Sequence, residues 1–284
     1  MAVSSVKISP ETQRLELLLL LEAIYQKYGY DFRQYSMAHI KRRIDHRLAL
    51  SGLPSISHLQ HAVLYDPVML LNVLHDLSIN VSEMFRDPGF FLALRQEVLP
   101  RLSTYPFFKI WVAGCAAGQE AYSTAILLHE NGLYDRARIH ATDFNPHSLE
   151  QARQGNYPLT TIKEYTINYQ KSGGLNSFAD YYTACDQHGT MRPFLQEQMV
   201  FAEHNLVTDG VFGEMQLILC RNVLIYFNKE LQNRVVGLFK DSLCPGGFLC
   251  LGAKESLKFS VHADAFEVVQ EKERIYRKKR ITQA

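Results

Sequence analysis

The sequence contains no long apolar run and no recognisable export signal. Its longest purely aliphatic stretch, Leu17–Leu21, is far shorter than the ~20 residues that a helix needs to cross a bilayer, and it indicates a buried helical segment. The first residues are small and polar, without the basic start and apolar core of a signal peptide. We therefore expect a soluble chain that stays in the cytoplasm.

Clustered cysteines and an excess of one charge sign are also missing. The five cysteines are scattered and none forms a C-x-x-C pair, so we predict neither a metal site nor a disulfide framework. Lys and Arg number 30 against 29 Asp and Glu, which gives a formal net charge of +1. This balance does not indicate a nucleic-acid partner or insertion into a membrane. With 47% hydrophobic residues, the 284-residue chain has a globular composition.

Up to about residue 106 the apolar residues recur at helical spacing. Ile40, Ile44 and Leu48 align on one helix face, and Gly52 provides a stop signal. We assign residues 1–86 to a helical N-terminal domain. The predicted helices are Glu11–Tyr28, residues 37–48, Ser55–Tyr65, Pro67–Leu77 and a segment that starts at Asp87-Pro88 and runs to about Leu99.

From Phe108 onwards short apolar runs alternate with helical patterns. This alternation predicts an α/β domain, over residues 87–284, in which helices cover both faces of a parallel sheet. The predicted strands are Lys109–Ala113, Ile139–Thr142, Met199–Ala202, Leu217–Cys220, Phe248–Leu251 and a closing antiparallel pair, Phe266–Val269 and Arg274–Lys278; the helices are Gln119–His129, Pro146–Gln154 and Lys229–Leu243.

A polar stretch between Tyr157 and Gln198, rich in glycine and tyrosine, interrupts the alternation. We interpret residues 157–200 as an inserted β-subdomain. Its predicted hairpin pairs a strand near Tyr181–Thr183 with one at Pro193–Leu195.

A glycine loop follows the first predicted strand of the α/β domain and opens a helix. Gly114 and Gly118 allow the backbone to approach a ligand closely. Cys115-Ala116 replaces the middle glycine of the dinucleotide fingerprint, which favours a ligand smaller than a dinucleotide. A tight turn without any ligand is an equally good interpretation of this loop alone.

Asp143 ends the second strand, roughly 25 residues after the glycine loop, where an acidic residue commonly holds a ribose diol. Its two oxygens can accept hydrogen bonds from two hydroxyls. The alternative is that Asp143 caps the helix that begins at Pro146.

Two other polar segments lie in apolar surroundings. Asn80, Ser82 and Arg86 precede a helix start; the guanidinium could clamp a carboxylate, or the segment could serve as an inter-domain cap with a surface ion pair. Arg221-Asn222 and an aromatic pair follow a strand end, where ligands bind in open α/β sheets. The absence of proline after Asn222 argues against methylation of a base nitrogen.

These segments together resemble the chemotaxis-receptor glutamate methyltransferases, the CheR family. The resemblance rests on Asn80–Pro88, Trp111–Glu120, Ala141–Asp143 and Cys220–Phe227, and it covers nearly the whole chain. It implies a Rossmann-like class I methyltransferase domain whose seven-stranded sheet has an antiparallel edge, an all-helical N-terminal domain and a small inserted β-subdomain. It also implies S-adenosylmethionine as cofactor, S-adenosylhomocysteine as product, and glutamate methyl esters on chemoreceptor cytoplasmic helices.

The resemblance further implies roles for single residues. Glu120 should face the methionine amino group of the cofactor, and Ser82 keeps the hydroxyl where the family often has threonine. Arg86 and Tyr226 are the implied catalytic residues. The implied cofactor-binding residues are Asn80, Ser82, Arg86, Gly114, Glu120, Asp143, Asn205, Leu206, Arg221 and Asn222.

The densest basic run of the sequence lies on the second predicted helix. Lys41, Arg42, Arg43 and Arg47 should face outwards, either as a solvated surface or as a docking surface for acidic receptor helices. The family resemblance favours docking.

Some members of the family hold a C-terminal receptor peptide as an extra strand of the β-subdomain. Here the predicted hairpin has one glycine, Gly189, in a long polar connection, and Pro193 removes a backbone donor from its predicted second strand. We therefore predict that this chain needs no such tether.

Two other functions are compatible with parts of this pattern. One is a class I methyltransferase that acts on another substrate, and the other is a catalytically silent scaffold that only binds the cofactor. Formation of a base-labile methyl ester would distinguish the first alternative, and turnover would distinguish the second.

Overall fold

A computed structural model of the chain describes residues 9–78 and 82–280. Packing of the Cα atoms divides the chain into two compact units. The first, here the helical unit, comprises Met1–Ile79 and Tyr226–Leu231; the second, the sheet unit, comprises Asn80–Ile225 and Gln232–Ala284. The two units separate between residues 79 and 80, earlier in the chain than the domain boundary that we predict between residues 86 and 87. The predicted domain boundary stays a prediction.

The helical unit is built from amphipathic helices with well-formed ends. Ser9, Ser55 and Asp66 cap three of them by accepting a hydrogen bond from a backbone N–H of the first turn. Gly29 closes the first helix with a φ of 80°, a left-handed conformation that glycine adopts without strain. The helices are α1 (Pro10–Tyr28), α2 (Met37–Ser51), α3 (Ile56–Tyr65) and α4 (Pro67–Leu77).

A segment from much later in the chain completes the helical unit. The backbone N–H of Ser36 donates to the Tyr226 carbonyl at 2.8 Å, and the N–H of Asn228 donates to the Gln34 carbonyl at 2.9 Å. Between them, Tyr35 and Phe227 form an antiparallel bridge with ring centroids 5.0 Å apart. Neither contact could be predicted from local sequence patterns.

The sheet unit is organised around a seven-stranded sheet with the strand order β6-β2-β1-β7-β8-β10-β9. Its first five strands are parallel, and β10 runs antiparallel to both β8 and β9. This is the class I methyltransferase fold that we predict. The strands are β1 (Phe108–Ala113), β2 (Ala137–Asp143), β6 (Met199–Glu203), β7 (Met215–Cys220), β8 (Leu243–Leu251), β9 (Phe266–Gln270) and β10 (Ile275–Lys278).

Helices lie between the strands, as the alternating pattern predicts. Apolar residues of β1, among them Ile110 and Val112, are fully buried beneath them. The helices are α5 (Pro88–Ala93), α6 (Leu99–Leu102), α7 (Gln119–Glu130), α8 (Pro146–Gln154), α9 (Leu159–Lys171) and α10 (Lys229–Ser242). No helix within residues 9–78 and 82–280 is both long enough and apolar enough to cross a membrane.

The proline at position 100 predicts that the helical segment beginning at Pro88 ends at about Leu99. This prediction is wrong, because the segment continues to Leu102. A π turn at Leu94–Val98 joins α5 to α6, so that the N–H of Leu99 donates to the Leu94 carbonyl. Because proline has no N–H to continue the ordinary ladder, the wider turn lets the chain pass through Pro100 and reach Leu102.

The inserted segment contains the predicted small sheet, but two details of the prediction are wrong. Residues 159–171 form helix α9, because Ile162, Tyr165 and Tyr169 recur at helical spacing and are buried. The second strand of the hairpin precedes Pro193, which begins a short 3-10 helix. The small sheet has the order β3-β5-β4, with β3 at Asn156–Pro158, β4 at Tyr182–Cys185 and β5 at His188–Met191.

This geometry changes the basis of the tether prediction. Asp186 and Gln187 alone connect β4 to β5, and Gly189 pairs with Ala184 inside the ladder. Pro193 therefore does not blunt the hairpin, and β4 forms one edge of the small sheet with Thr183 exposed. That this chain needs no tether peptide stays a prediction. The two features on which it rested, a long connection and a proline within the strand, are not present in the hairpin.

Candidate functional site

The glycine loop lies at the point where the strand order of the large sheet reverses. β1 has β2 on one side and β7 on the other, so the loops after β1 and β7 diverge to opposite sides and leave a crevice, the usual ligand position in such sheets. Gly114 follows β1 with a φ of 74°, and a Cβ added there would lie 2.7 Å from Cγ2 of Val223. No other residue fits here without displacing the loop after β7.

Gly118 is required for a different close approach. Its φ is 90°, and an added Cβ would lie 2.9 Å from the Cβ of Ala152 in α8. The loop is also held by the N–H groups of Gly114 and Cys115, which both donate to the Thr142 carbonyl. The glycine positions thus bring α7 and α8 together at the carboxyl end of β1.

Asp143 lies at the carboxyl end of β2 and is buried. Oδ2 accepts a hydrogen bond from the N–H of Ala116 at 2.9 Å, and Oδ1 accepts one from the N–H of Asn145 at 3.0 Å. The cap of α8 is Asn145, whose side chain accepts from the N–H of His147, so the capping interpretation of Asp143 is wrong. Burial raises the pKa of the Asp143 carboxyl, although these backbone hydrogen bonds oppose the rise.

Arg221, which follows β7, is held in an ion-pair cluster. Its side chain is 4% exposed; Nη1 donates to Oε1 of Glu120 at 2.7 Å and Nη2 to Oδ2 of Asp87 at 2.8 Å. The guanidinium also lies over the ring of Phe90, 4.0 Å from its centroid. Three distant segments of the chain therefore meet at one guanidinium.

The segment before α5 contributes its backbone to the same place. The carbonyl of Arg86 accepts from Nη2 of Arg221 at 3.1 Å, and the N–H of Phe85 donates to Oγ of Ser123 in α7 at 2.8 Å. The side chains of Ser82 and Arg86 are half-buried in this segment. Asn80, a predicted cofactor-binding residue, lies outside the described residues.

Backbone conformations that side chains rarely adopt concentrate in these loops. Among the described residues, six other than glycine have a positive φ, and four of them are Phe85 (54°), Asp87 (56°), Ala116 (49°) and Asn222 (61°). Such conformations persist where surrounding contacts impose them, and they cluster at ligand sites. The three loops are therefore held in a specific shape by the rest of the sheet unit.

The loop after β6 joins the site edge through its strand register. Asp143 pairs with Glu203, and the N–H of His204 donates to the Asp143 carbonyl. Asn205 follows; its side-chain oxygen accepts from the N–H of Val207 at 3.0 Å. The adjacent Leu206 is buried, so this pair can offer an apolar wall beside Asp143.

Other predicted site residues belong to the helical unit. The Tyr226 ring lies 5.4 Å from the ring of His39, and its catalytic role stays a prediction. On α2, Arg42 is exposed and Arg43 half-buried. Lys41 forms an exposed pair with Asp45, whereas Arg47 pairs with Asp76 at 2.6 Å and is only 14% exposed.

The sequence analysis missed Glu255, a buried carboxylate in the loop after β8. It accepts hydrogen bonds from the backbone N–H groups of Gly252, Asn222 and Ile225. A glutamate three residues after the glycine that follows β8 is a weak signal for it, but its partners Asn222 and Ile225 lie 33 and 30 residues earlier in the chain.

The residues present suit S-adenosylmethionine. Asp143 accepts hydrogen bonds from backbone N–H groups, and because a carboxylate has about four acceptor positions it retains capacity for ribose hydroxyls. The cluster of Arg221 with Glu120 and Asp87 contains one more carboxylate than cation, which complements the positive charge of a sulfonium. Asp143 would hold the ribose and Glu120 the methionine amino group.

Comparisons with known proteins agree with this fold. The family model described as "CheR methyltransferase, SAM binding domain" matches residues 80–275, and "CheR methyltransferase, all-alpha domain" matches residues 15–78. The chain is 54% identical over 264 residues to "Putative methyltransferase Cher3" of Pseudomonas putida, covering 93% of this chain and 97% of that protein.

More distant relatives bear chemotaxis names. "Chemotaxis protein methyltransferase" of Listeria innocua is 28% identical over 244 residues, with 85% of this chain and 90% of that protein covered. The protein of the same name from Vibrio parahaemolyticus is 32% identical over 201 residues, with 68% and 70% covered. The chain therefore belongs to the CheR methyltransferase family, and its sheet unit is a class I methyltransferase domain that binds S-adenosylmethionine.

Proposed function

We propose that the chain transfers a methyl group from S-adenosylmethionine to glutamate side chains on the cytoplasmic helices of chemoreceptors. The observation that carries this proposal is the separate all-alpha match over residues 15–78. Every residue implied in cofactor binding lies at position 80 or later, so the helical unit is available for a protein substrate. The chemotaxis names of the relatives support a receptor as that substrate.

The proposed reaction makes small chemical demands on the protein. A glutamate carboxylate, with an ordinary pKa of about 4.3, is already ionised at neutral pH and can attack a methyl group without a general base. The protein must align the two reactants and exclude water, and alignment can lower the barrier by up to roughly 7–11 kcal/mol. The loops held in unusual backbone conformations suit this task, because they present fixed groups to the reactants.

The charge of the site favours the cofactor over the acidic substrate. Arg221 is already paired with Glu120 and Asp87, so it does not offer a free cation that would trap a receptor carboxylate. A strong clamp on the substrate would stabilise the ground state and slow the transfer. We assign Arg86 and Tyr226 as the residues that orient the reactants.

Recognition of the receptor is assigned to α2 of the helical unit. Lys41 and Arg42 are exposed on it, and their positive charge would attract an acidic receptor helix. Exposed charges of this kind chiefly raise the association rate and select partners of the opposite sign.

The experiment that tests this function uses the full chain, S-adenosylmethionine with a radiolabelled methyl group, and cytoplasmic fragments of candidate receptors. A carboxyl methyl ester releases its label as volatile methanol after base treatment, whereas an N-methyl product does not. Peptide mapping then identifies the modified glutamates, and fragments with glutamine at those positions serve as the control. A base-stable label, or cofactor binding without turnover on any receptor fragment, would contradict the proposal.

A further inference from the structure

The carboxylate of Glu255 lies in the interior of the sheet unit, where backbone N–H groups donate hydrogen bonds to it. Glu255 is only 4% exposed. Oε2 accepts from the N–H of Gly252 at 2.6 Å and from the N–H of Asn222 at 3.0 Å, while Oε1 accepts from the N–H of Ile225 at 3.2 Å. One carboxylate thus joins the loop after β8 to the loop after β7.

The loop that Glu255 holds adopts a conformation that needs support. Asn222 has a φ of 61°, a left-handed conformation that asparagine adopts more often than other residues with a Cβ but that is still uncommon. Without the carboxylate, the N–H groups of the half-buried residues Asn222 and Ile225 would lose their acceptor, and the loop would lose the contacts that fix it.

The fit around this contact leaves no spare room. A Cβ added at Gly252 would lie 2.7 Å from the backbone N of Asn222 and 2.8 Å from Oε2 of Glu255. Because Gly252 does not have a positive φ, this close approach and not its backbone conformation is the reason for glycine. Gly252 on one side and Asn222 on the other therefore fix the position of the carboxylate.

The held loop contacts each of the other segments of the site. Val223 packs against Gly114 so closely that no Cβ fits between them. Arg221, on the other side of Asn222, holds Glu120 of α7 and Asp87 before α5. A displacement of the loop after β7 would thus change the glycine loop and the ion-pair cluster together.

Glu255 is too buried and too fully engaged by N–H donors to meet a substrate. Resting on the function proposed above, we propose that Glu255 is a positioning residue for methyl transfer: it sets the backbone of Arg221-Asn222-Val223 and, through it, the alignment of cofactor and methyl acceptor.

The test uses the full chain with the substitution Glu255→Gln. Glutamine keeps the length and one acceptor oxygen, but its amide N–H₂ would face backbone N–H donors where Oε2 now accepts. Because misplacement by about 1 Å can reduce a rate about 100-fold, we expect kcat for receptor methylation to fall by about 10- to 100-fold with the receptor KM changed by less than about twofold. Calorimetry should show S-adenosylhomocysteine bound about 3- to 10-fold more weakly.

Two further variants separate positioning from folding. Glu267→Gln removes an exposed carboxylate of β9 and should leave kcat and cofactor affinity unchanged. Gly252→Ala crowds Asn222 without removing a charge, and it should reproduce the loss of kcat. If Glu255→Gln lowers the melting temperature but leaves kcat and the affinity for S-adenosylhomocysteine at wild-type values, the proposal is wrong.

The outcome does not depend on one variant or on the receptor assignment. Should Glu255→Gln fail to fold, wild-type kcat and cofactor affinity in folded Gly252→Ala would overturn the proposal. Should the wild-type chain methylate no receptor, the proposed substrate fails, and the calorimetric comparison alone decides whether Glu255 positions the cofactor loops.

Discussion

Two buried glutamates of the sheet unit, Glu130 and Glu255, are stabilised in different ways. Glu130 at the end of α7 is surrounded by the guanidinium of Arg95, the hydroxyls of Tyr169 and Tyr181, and the N–H of Leu175. Although burial raises its pKa, the hydrogen bonds from these partners outweigh burial, and the net pKa is lowered. For Glu255, burial raises the pKa and hydrogen bonds from backbone N–H groups only partly oppose it.

The two kinds of partner connect different parts of the sheet unit. The donors around Glu130 come from the π turn and the inserted segment, so this residue of α7 joins the insertion to the core. Asp143 and Glu255 lie at the carboxyl edge of the sheet and receive hydrogen bonds from loop backbone, which shapes those loops. A counter-ion makes a buried carboxylate a structural anchor, whereas backbone donors let it define a loop.

The largest effect should come from removing the anchor. Glu130→Ala leaves the largely buried Arg95 guanidinium without its counter-ion and removes the carboxylate that accepts from the hydroxyls of Tyr169 and Tyr181, so we expect the free energy of unfolding to fall by about 3–5 kcal/mol. Urea unfolding followed by circular dichroism measures this loss. The control Glu150→Ala removes an exposed carboxylate and should change stability by less than about 1 kcal/mol. Equal effects of the two substitutions would refute the distinction.

Asp143 should matter for the ligand more than for the fold. Asp143→Ala removes the acceptors assigned to the ribose hydroxyls, and we expect binding of S-adenosylhomocysteine to weaken by about 1.5–3 kcal/mol, the range for hydrogen bonds to a charged group. Titration calorimetry on the folded variant provides the measurement, with Asp135→Ala, an exposed aspartate of the same unit, as control. Wild-type affinity in Asp143→Ala would exclude Asp143 from the cofactor site.

The opposite pKa directions predict opposite pH dependences. Glu130, with a lowered pKa, stabilises the fold above its unfolded pKa of about 4.3, and this contribution is lost as pH falls through the folded pKa. Glu255, with a raised pKa, contributes stability below about pH 4.3 that is lost as pH rises through its folded pKa.

This contrast is measured by urea unfolding over a pH series. The stability of the wild-type chain relative to Glu130→Gln should increase as pH rises through the acidic range. Relative to Glu255→Gln it should decrease as pH rises above about 4.3. Slopes of the same sign for the two pairs would show that the counter-ion does not decide the behaviour of these carboxylates.

The smallest effect concerns α2, which also has one charged group that is paired and largely buried and others that are exposed. Arg47 pairs with Asp76 away from water and supports the helical unit, whereas Lys41 and Arg42 are exposed. Reversal of the exposed pair, Lys41→Glu with Arg42→Glu, should raise the receptor KM by about 2- to 10-fold through slower association and leave cofactor affinity unchanged. Lys272→Glu, an exposed reversal in the sheet unit, is the control. An unchanged KM in the double variant would remove α2 from receptor docking.

Local patterns in the sequence predicted most elements because their causes are local. The large-sheet strands and the helices near Pro10, Pro67 and Pro146 follow from apolar periodicity and capping residues that lie within a few positions of each other. Helix α9 was missed because its polar composition hid an apolar stripe, and the hairpin was misplaced because its turn residues were read as a long connection.

The sequence by itself determined the alternation of strands and helices, the glycine loop and the acidic end of β2, since short spacings encode all three. Only the tertiary structure decided that Arg221 joins Glu120 to Asp87 and that Glu255 holds Asn222. The partners of Arg221 lie 101 and 134 residues away along the chain, and those of Glu255 in the loop after β7 lie 33 and 30 residues away. Burial makes these partners obligatory, because a charge away from water needs its donors or its counter-ion, and no local pattern records which distant group supplies them.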